Sequence, residues 1–106
     1  MSSKKKPKKQ EPDSSPQPLP VNRYPIFDQQ FREDLGWWYK QDQKIAYKIL
    51  DLVSATMQEP FSGIVKSEPL KHLASDIWSR RINLEHRLVY RVRNDRIDFL
   101  QARYHY

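Results

Sequence analysis

Glu68, Arg87 and His105 lie in the C-terminal half of the chain and bring together a carboxylate, a guanidinium and an imidazole. Those three groups suffice for phosphodiester cleavage through the RNA 2′-hydroxyl. A base removes the 2′-proton, a cation stabilises the crowded phosphorane, and an acid protonates the departing 5′-oxygen. That chemistry needs no metal, and no spacing of Asp, Glu or His along the chain resembles a ligand set. With no cysteine there is neither a disulfide framework nor a Cys-based zinc site, and no cofactor is implied. Almost every domain contains a trio of these types, so the types alone do not select this chemistry.

The elements that must position the trio are legible from periodicity. Arg87 falls in the most regular stretch, Trp78 to Tyr90. From Ile82 the even positions read Ile82, Leu84, His86, Leu88, Tyr90, Val92, and the odd positions read Asn83, Glu85, Arg87, Val89, Arg91, Arg93. This is the period of a strand with one face on a core and the other in water. Arginine dominates the wet face and suits phosphate; an exposed face solubilised by arginine would read the same way. Parity puts His86 on the apolar face, as a core histidine rather than a ligand. It also puts Arg80 and Arg81 on opposite faces, so a continuous strand offers only one of them to an anion. His72 is left undecided.

Upstream, residues 1–22 form a basic tail rich in Lys and Pro that is too polar to offset the entropy of ordering, and residues 23–106 form one domain. Arg23 to Phe27 reads as a short strand, with Pro25 pointing to a sheet edge. Asp28 is placed to cap a helix carrying Phe31, Leu35 and Trp38, in which Gly36 weakens the helix and offers a close contact. Asp42 is placed to cap a second helix with the stripe Ile45, Ile49, Leu52, Val53 and Met57, and Lys40, Lys44 and Lys48 line the other side. The tryptophans and this stripe are most simply core. Pro60 ends the second helix. Phe61 to Pro69, including Glu68, reads as a loop. Ile77–Ile82, Glu85–Arg93 and Arg96–Tyr104 read as three strands. A two-residue turn at Asn94-Asp95 pairs Val92 with Ile97, Arg91 with Asp98 and Tyr90 with Phe99. The expected fold is α+β, a small antiparallel β-sheet packed against two N-terminal α-helices.

The formal net charge is +6, which favours an anionic partner, either nucleic acid or an acidic protein. The surplus is uneven. Residues 26–59 hold four Lys or Arg against six acids, while residues 60–106 hold nine against five. No apolar run approaches the roughly 20 residues needed to span a bilayer, and the basic N-terminus has no apolar signal segment. A soluble cytoplasmic protein that does not engage membranes is expected.

A longer pattern narrows the reading. Pro60-Phe61, Gly63, Lys66-Ser67-Glu68-Pro69-Leu70-Lys71-His72, Trp78-Ser79-Arg80-Arg81-Ile82, Glu85-His86-Arg87-Leu88-Val89-Tyr90 and the ending Arg103-Tyr104-His105-Tyr106 resemble the YoeB (Txe) toxins of the RelE superfamily. The resemblance runs from about Ile26 to the last residue. It implies the toxin of a type II toxin–antitoxin system, a ribonuclease that cuts messenger RNA in the A site of the 70S ribosome. Its partner would be a YefM-like antitoxin, and promoter DNA would be met only through the antitoxin complex. There is room for a homodimer. In the family pattern the general base falls on Glu68, the transition-state arginine on Arg87 and the general acid on His105. Tyr106, Lys71, Arg81 and Lys66 match positions near the scissile phosphate or along the RNA path. Ser67 departs from the proline usual before the glutamate, which would leave that loop less restricted. Val21 lies close to where a family member would begin, so the native chain is expected to start near it.

Two rivals belong to other classes. A non-catalytic toxin of the same fold would bind a protein target such as gyrase and would not need the acid–base trio. A plain basic RNA-binding module would show salt-dependent binding without cleavage.

Overall fold

Two helices begin the packing. In a computed structural model, which describes residues 22–61, 67–69 and 76–104, strand β1 (Tyr24–Phe27) leads into helix α1 (Gln29–Gln41), and Asp42 alone separates it from helix α2 (Gln43–Gln58). Asp42 accepts the Lys44 N–H at 3.1 Å and so caps α2 as expected. Asp28 occupies the N-cap of α1 but accepts no hydrogen bond there through its side chain. The apolar stripes lie inward: Phe31 and Trp38 from α1, and Ala46, Ile49, Leu52 and Val53 from α2, are buried. Leu35, Ile45 and Met57 pack around them. Gly36 does not serve a close contact, because a Cβ built there would meet nothing within 4 Å.

Downstream come β2 (Ser67–Pro69), β3 (Ile77–Arg81), β4 (Arg87–Val92) and β5 (Arg96–Gln101). The described strands form one sheet in the order β1-β5-β4-β3-β2. Its inner face, with Leu88, Tyr90, Val92, Ile97 and Phe99, joins the helices in a single core. The ends of α2 and the sheet are tied by polar groups. Arg80 is fully buried and donates through Nη2 to the Glu59 carbonyl, and the Tyr90 hydroxyl donates to the Pro60 carbonyl at 2.6 Å. Arg80 thus takes up the C-cap carbonyl, which the end of a helix leaves without an intrahelical partner, and Tyr90 takes the carbonyl of the residue after it.

The α+β class, the two N-terminal helices and the hairpin register stand as expected: Val92 pairs with Ile97, Arg91 with Asp98 and Tyr90 with Phe99. The sheet is mixed rather than wholly antiparallel, because β1 runs parallel to β5. Phe27 stacks between Phe31 and Phe99, at centroid distances of 5.3 and 5.4 Å. The Asp28 N–H donates to the Phe99 carbonyl. That direction delivers the start of α1 to the C-terminal end of β5. The Tyr24 and Asp28 N–H groups both turn inward to β5, so the alternate residue Pro25 falls on the open edge, where a missing donor costs no ladder bond.

Three boundaries differ from the sequence reading. Glu68 lies in a short edge strand and not in a loop, since β3 supplies a pairing partner for a Ser-Glu-Pro segment with little strand preference of its own. The alternation from Ile82 to Val92 is interrupted between β3 and β4. There the Asn83 side-chain oxygen accepts the N–H groups of Glu85 and His86, at 3.0 and 2.8 Å, a local turn that competes with the ladder. Leu84, placed on the core face by parity, sits in this turn 93% exposed. Finally, β5 stops at Gln101 rather than Tyr104. A register shift between Val89 and Tyr90 pairs Val89 with Gln101, and the extra residue reverses the parity of the chain beyond it. Ile97 and Phe99 point into the core, and after the shift so does Ala102.

Candidate active site

Ser79 is the hub of the outer sheet face. It pairs with Val89 of β4 on one side and with Glu68 of β2 on the other. Arg81 and Arg87 form the rung two residues along, and residues directly opposed across an antiparallel ladder share a face. The Arg87 Nε donates to the Ser79 hydroxyl at 2.8 Å. This contact uses one guanidinium N–H for orientation and sets the plane of the group. Ser79 is fully buried and Arg87 half-buried, so the anchoring hydroxyl is shielded from water. Arg81 is exposed and makes no ion pair among the described residues. Its neighbour Arg80 is spent inside the core, as their opposite parity requires.

Three further arginines of this half are matched with acids. Arg91 lies 3.7 Å from Asp76, and Arg93 and Arg96 each lie 3.1 Å from the nearly buried Asp98. Arg96 also meets Asp95 at 3.1 Å. Desolvation works against the Arg96 charge, but Asp98, helped by Asp95, holds its pKa above the usual arginine value. Positive charge is therefore neutralised at the β4–β5 turn, away from the Arg81–Arg87 rung.

The end of β5 is fixed by groups from elsewhere. The buried Asp34 carboxylate accepts the Ala102 N–H at 2.8 Å, and the Trp38 indole N–H donates to the Ala102 carbonyl at 2.8 Å. The Tyr104 N–H donates to His86 Nδ1 at 3.0 Å. The Arg103 guanidinium lies 3.7 Å over the Trp37 ring, a cation–π contact. These ties hold the residues that immediately precede His105 and Tyr106 in the chain.

A family described as the YoeB-like toxins of bacterial type II toxin–antitoxin systems matches residues 27–106. The chain belongs to this family. Toxin RelK of Mycobacterium tuberculosis is 49% identical over 80 residues, covering 76% of this chain and 94% of that protein. The YoeB dimer of Staphylococcus aureus superposes with a TM-score of 0.71 at 36% identity, covering 80% of this chain and 99% of the other. The heterotetrameric YoeB–YefM toxin–antitoxin complex from the same species gives 0.70 at 36% identity, with 79% and 98% covered. The chain is therefore a YoeB-family toxin of the type II toxin–antitoxin class.

Within this YoeB-family toxin, the structure places Arg81 and Arg87 on one rung and sets the Glu68 backbone across from Ser79. Lys66, Lys71, His105 and Tyr106 lie outside the described residues, as do His72 and residues 1–21 of the tail. Among the described residues no three His, Asp or Glu side chains gather as metal ligands. The sequence reading missed Ser79 and Asp34, and both carry a signal. Ser79 has the parity of Arg81, so it had to share the arginine face. Asp34 sits in the helical stripe of Phe31, Leu35 and Trp38, where a carboxylate is out of place unless something buried needs it. His86, read as a core histidine, lies against Trp38 as expected, with ring centroids 4.9 Å apart.

Proposed function

We propose that the protein is a ribosome-dependent messenger-RNA endoribonuclease. The observation that carries the reading is the Ser79 rung, which brings the strand position of Glu68 and the oriented guanidinium of Arg87 to one place on the sheet. Glu68 takes the 2′-proton as the 2′-oxygen attacks phosphorus. Arg87 balances the charge that builds on the phosphorane oxygens. His105, as imidazolium, gives its proton to the 5′-oxygen as the P–O5′ bond breaks. The upstream fragment then ends in a 2′,3′-cyclic phosphate, and the downstream fragment begins with a 5′-hydroxyl. Arg81, Lys66, Lys71 and Tyr106 hold the RNA on either side. The reaction uses no metal or cofactor. The ribosome presents the message in its A site and supplies much of the specificity.

A YefM-like antitoxin is the proposed protein partner, in line with the S. aureus complex. Promoter DNA is reached only through that complex. The free toxin forms a homodimer, as the S. aureus relative does, and it acts in the cytoplasm.

Primer extension on a translated message, with and without ribosomes, tests the reading. The intact chain should give ribosome-dependent cuts, and His105→Ala should weaken them by about 10²–10⁴-fold, the usual yield of a general acid. Retained toxicity without cuts would move the assignment to a protein target. Salt-sensitive RNA binding without cuts would leave a binding module.

A further inference from the structure

His86 has no part in the acid–base set, yet it makes a contact that core packing does not require. The residue precedes β4, and its side chain is only 16% exposed. The ring stands edge-on to the Trp38 indole, at 90° between planes. Its Nδ1 accepts the backbone N–H of Tyr104. A ring nitrogen that accepts carries no proton, so this contact requires the tautomer of His86 with its proton on Nε2. The Glu85 carboxylate lies 3.8 Å from that Nε2.

This bond joins others that hold the chain beyond the ladder. β5 ends at Gln101, where a terminal segment ordinarily frays. Here both polar groups of the Ala102 peptide backbone are taken by α1, through Asp34 and Trp38. Asp34 and Trp38 hold residue 102, and His86 holds residue 104. The β5 register shift has already turned Ala102 inward to meet them. The same Trp38 that holds the Ala102 carbonyl packs against the His86 ring, so these two ties share one support.

We propose that His86 is a positioning residue for the C-terminal catalytic segment: it pins the Tyr104 nitrogen and thereby fixes where the chain departs for His105 and Tyr106. The catalytic consequence rests on the reading of His105 as general acid; the tether itself does not. A general acid tethered a short distance from a fixed point samples far fewer arrangements than one on a frayed end. Misplacement by about 1 Å costs on the order of 100-fold in rate.

The test compares His86→Leu, which fills the site without an acceptor, with His86→Asn, whose side-chain oxygen falls near the position of Nδ1. Two quantities are read on the full chain: amide exchange at Tyr104, and the cleavage rate on ribosome-bound message as toxin is raised to saturation. In His86→Leu, Tyr104 exchange should rise by about 10-fold or more while Val92 and Phe99 in the ladder stay within about twofold. The saturating cleavage rate should fall by about 10- to 100-fold with the half-saturating concentration nearly unchanged. His86→Asn should recover most of both. Unchanged Tyr104 exchange in His86→Leu overturns the tether. So does equal damage in both variants with the ladder opened, which would mark a packing role. Loss of the tether with full cleavage overturns the positioning role. A long-range nitrogen–proton spectrum of the unaltered protein provides a reading that needs no variant: Nδ1 should be the unprotonated nitrogen at neutral pH, and a proton on Nδ1 overturns the proposal. If the unaltered toxin cuts nothing and His105→Ala stays toxic, the ribonuclease reading fails, while Tyr104 exchange still decides the tether.

Discussion

Ser79 and Arg87 form the smallest unit in which sequence, burial and proposed chemistry meet. The serine hydroxyl is out of contact with water and accepts the Arg87 Nε. Ser79→Ala leaves the backbone ladder intact and removes the acceptor. The expected loss of stability is modest, about 0.5–1.5 kcal/mol for one hydrogen bond. The expected loss of cleavage is larger, about 10- to 100-fold, because the guanidinium loses its fixed plane while keeping its charge. Arg87→Lys should cost at least as much, since an ammonium has neither the Nε nor the planar fork. Single-turnover cleavage on programmed ribosomes, read beside a urea midpoint, separates the two effects. Equal rates for Ser79→Ala and the unaltered protein would remove Ser79 from the site. The shared parity of residues 79, 81 and 87 is legible in the amino-acid sequence. The bond from Arg87 to Ser79 is not, because it runs diagonally between rungs and depends on where the β3–β4 turn closes.

At the scale of elements, the helices are the most legible part of the chain, and their exceptions are instructive. The 3.6-residue stripes of Phe31, Leu35, Trp38 and of Ile45, Ile49, Leu52, Val53 mark their faces because burial on one side repeats with the helical turn. The strand ends are less legible: the Asn83 turn and the β5 register shift both break the two-residue period by which strands are recognised. Short β2 carries no pattern of its own and exists because β3 offers it an edge. By sequence Gly36 is a weak point with a packing purpose, and only the weakness stands. Gly36→Ala should stabilise α1 by about 0.5–1 kcal/mol, since the new methyl meets open space. For a domain of this size that is a rise of about 2–8 °C in the thermal midpoint; a fall would show that the exposed surface at Gly36 is occupied in solution. Asp34→Ala should act in the opposite sense. It strands the buried Ala102 N–H, at a cost of about 1–3 kcal/mol, measurable as a lower urea midpoint at unchanged slope.

For the whole molecule, the question is which arginines remain available to an anionic partner. The net charge of +6 does not answer it, because the charges are spent unequally. Arg80 serves the Glu59 carbonyl inside the core. Arg93 and Arg96 bracket Asp98, and Arg91 faces Asp76. Arg81 is exposed on the rung shared with Arg87 and meets no acid among the described residues. A cation that displaces a condensed counterion adds to the salt dependence of binding, whereas one already neutralised by a carboxylate adds little. Binding of the toxin to programmed ribosomes should therefore weaken as salt is raised. In a plot of log affinity against log salt, Arg81→Gln should flatten the slope by about 0.7–0.9, the share of one phosphate contact. Arg93→Gln should leave that slope nearly unchanged and lower the unfolding midpoint instead, because its loss is felt by Asp98 within the hairpin. Should Arg93→Gln flatten the slope and Arg81→Gln leave it alone, the RNA would lie toward the β4–β5 turn. The Arg81–Arg87 rung would then lose its claim to the phosphate.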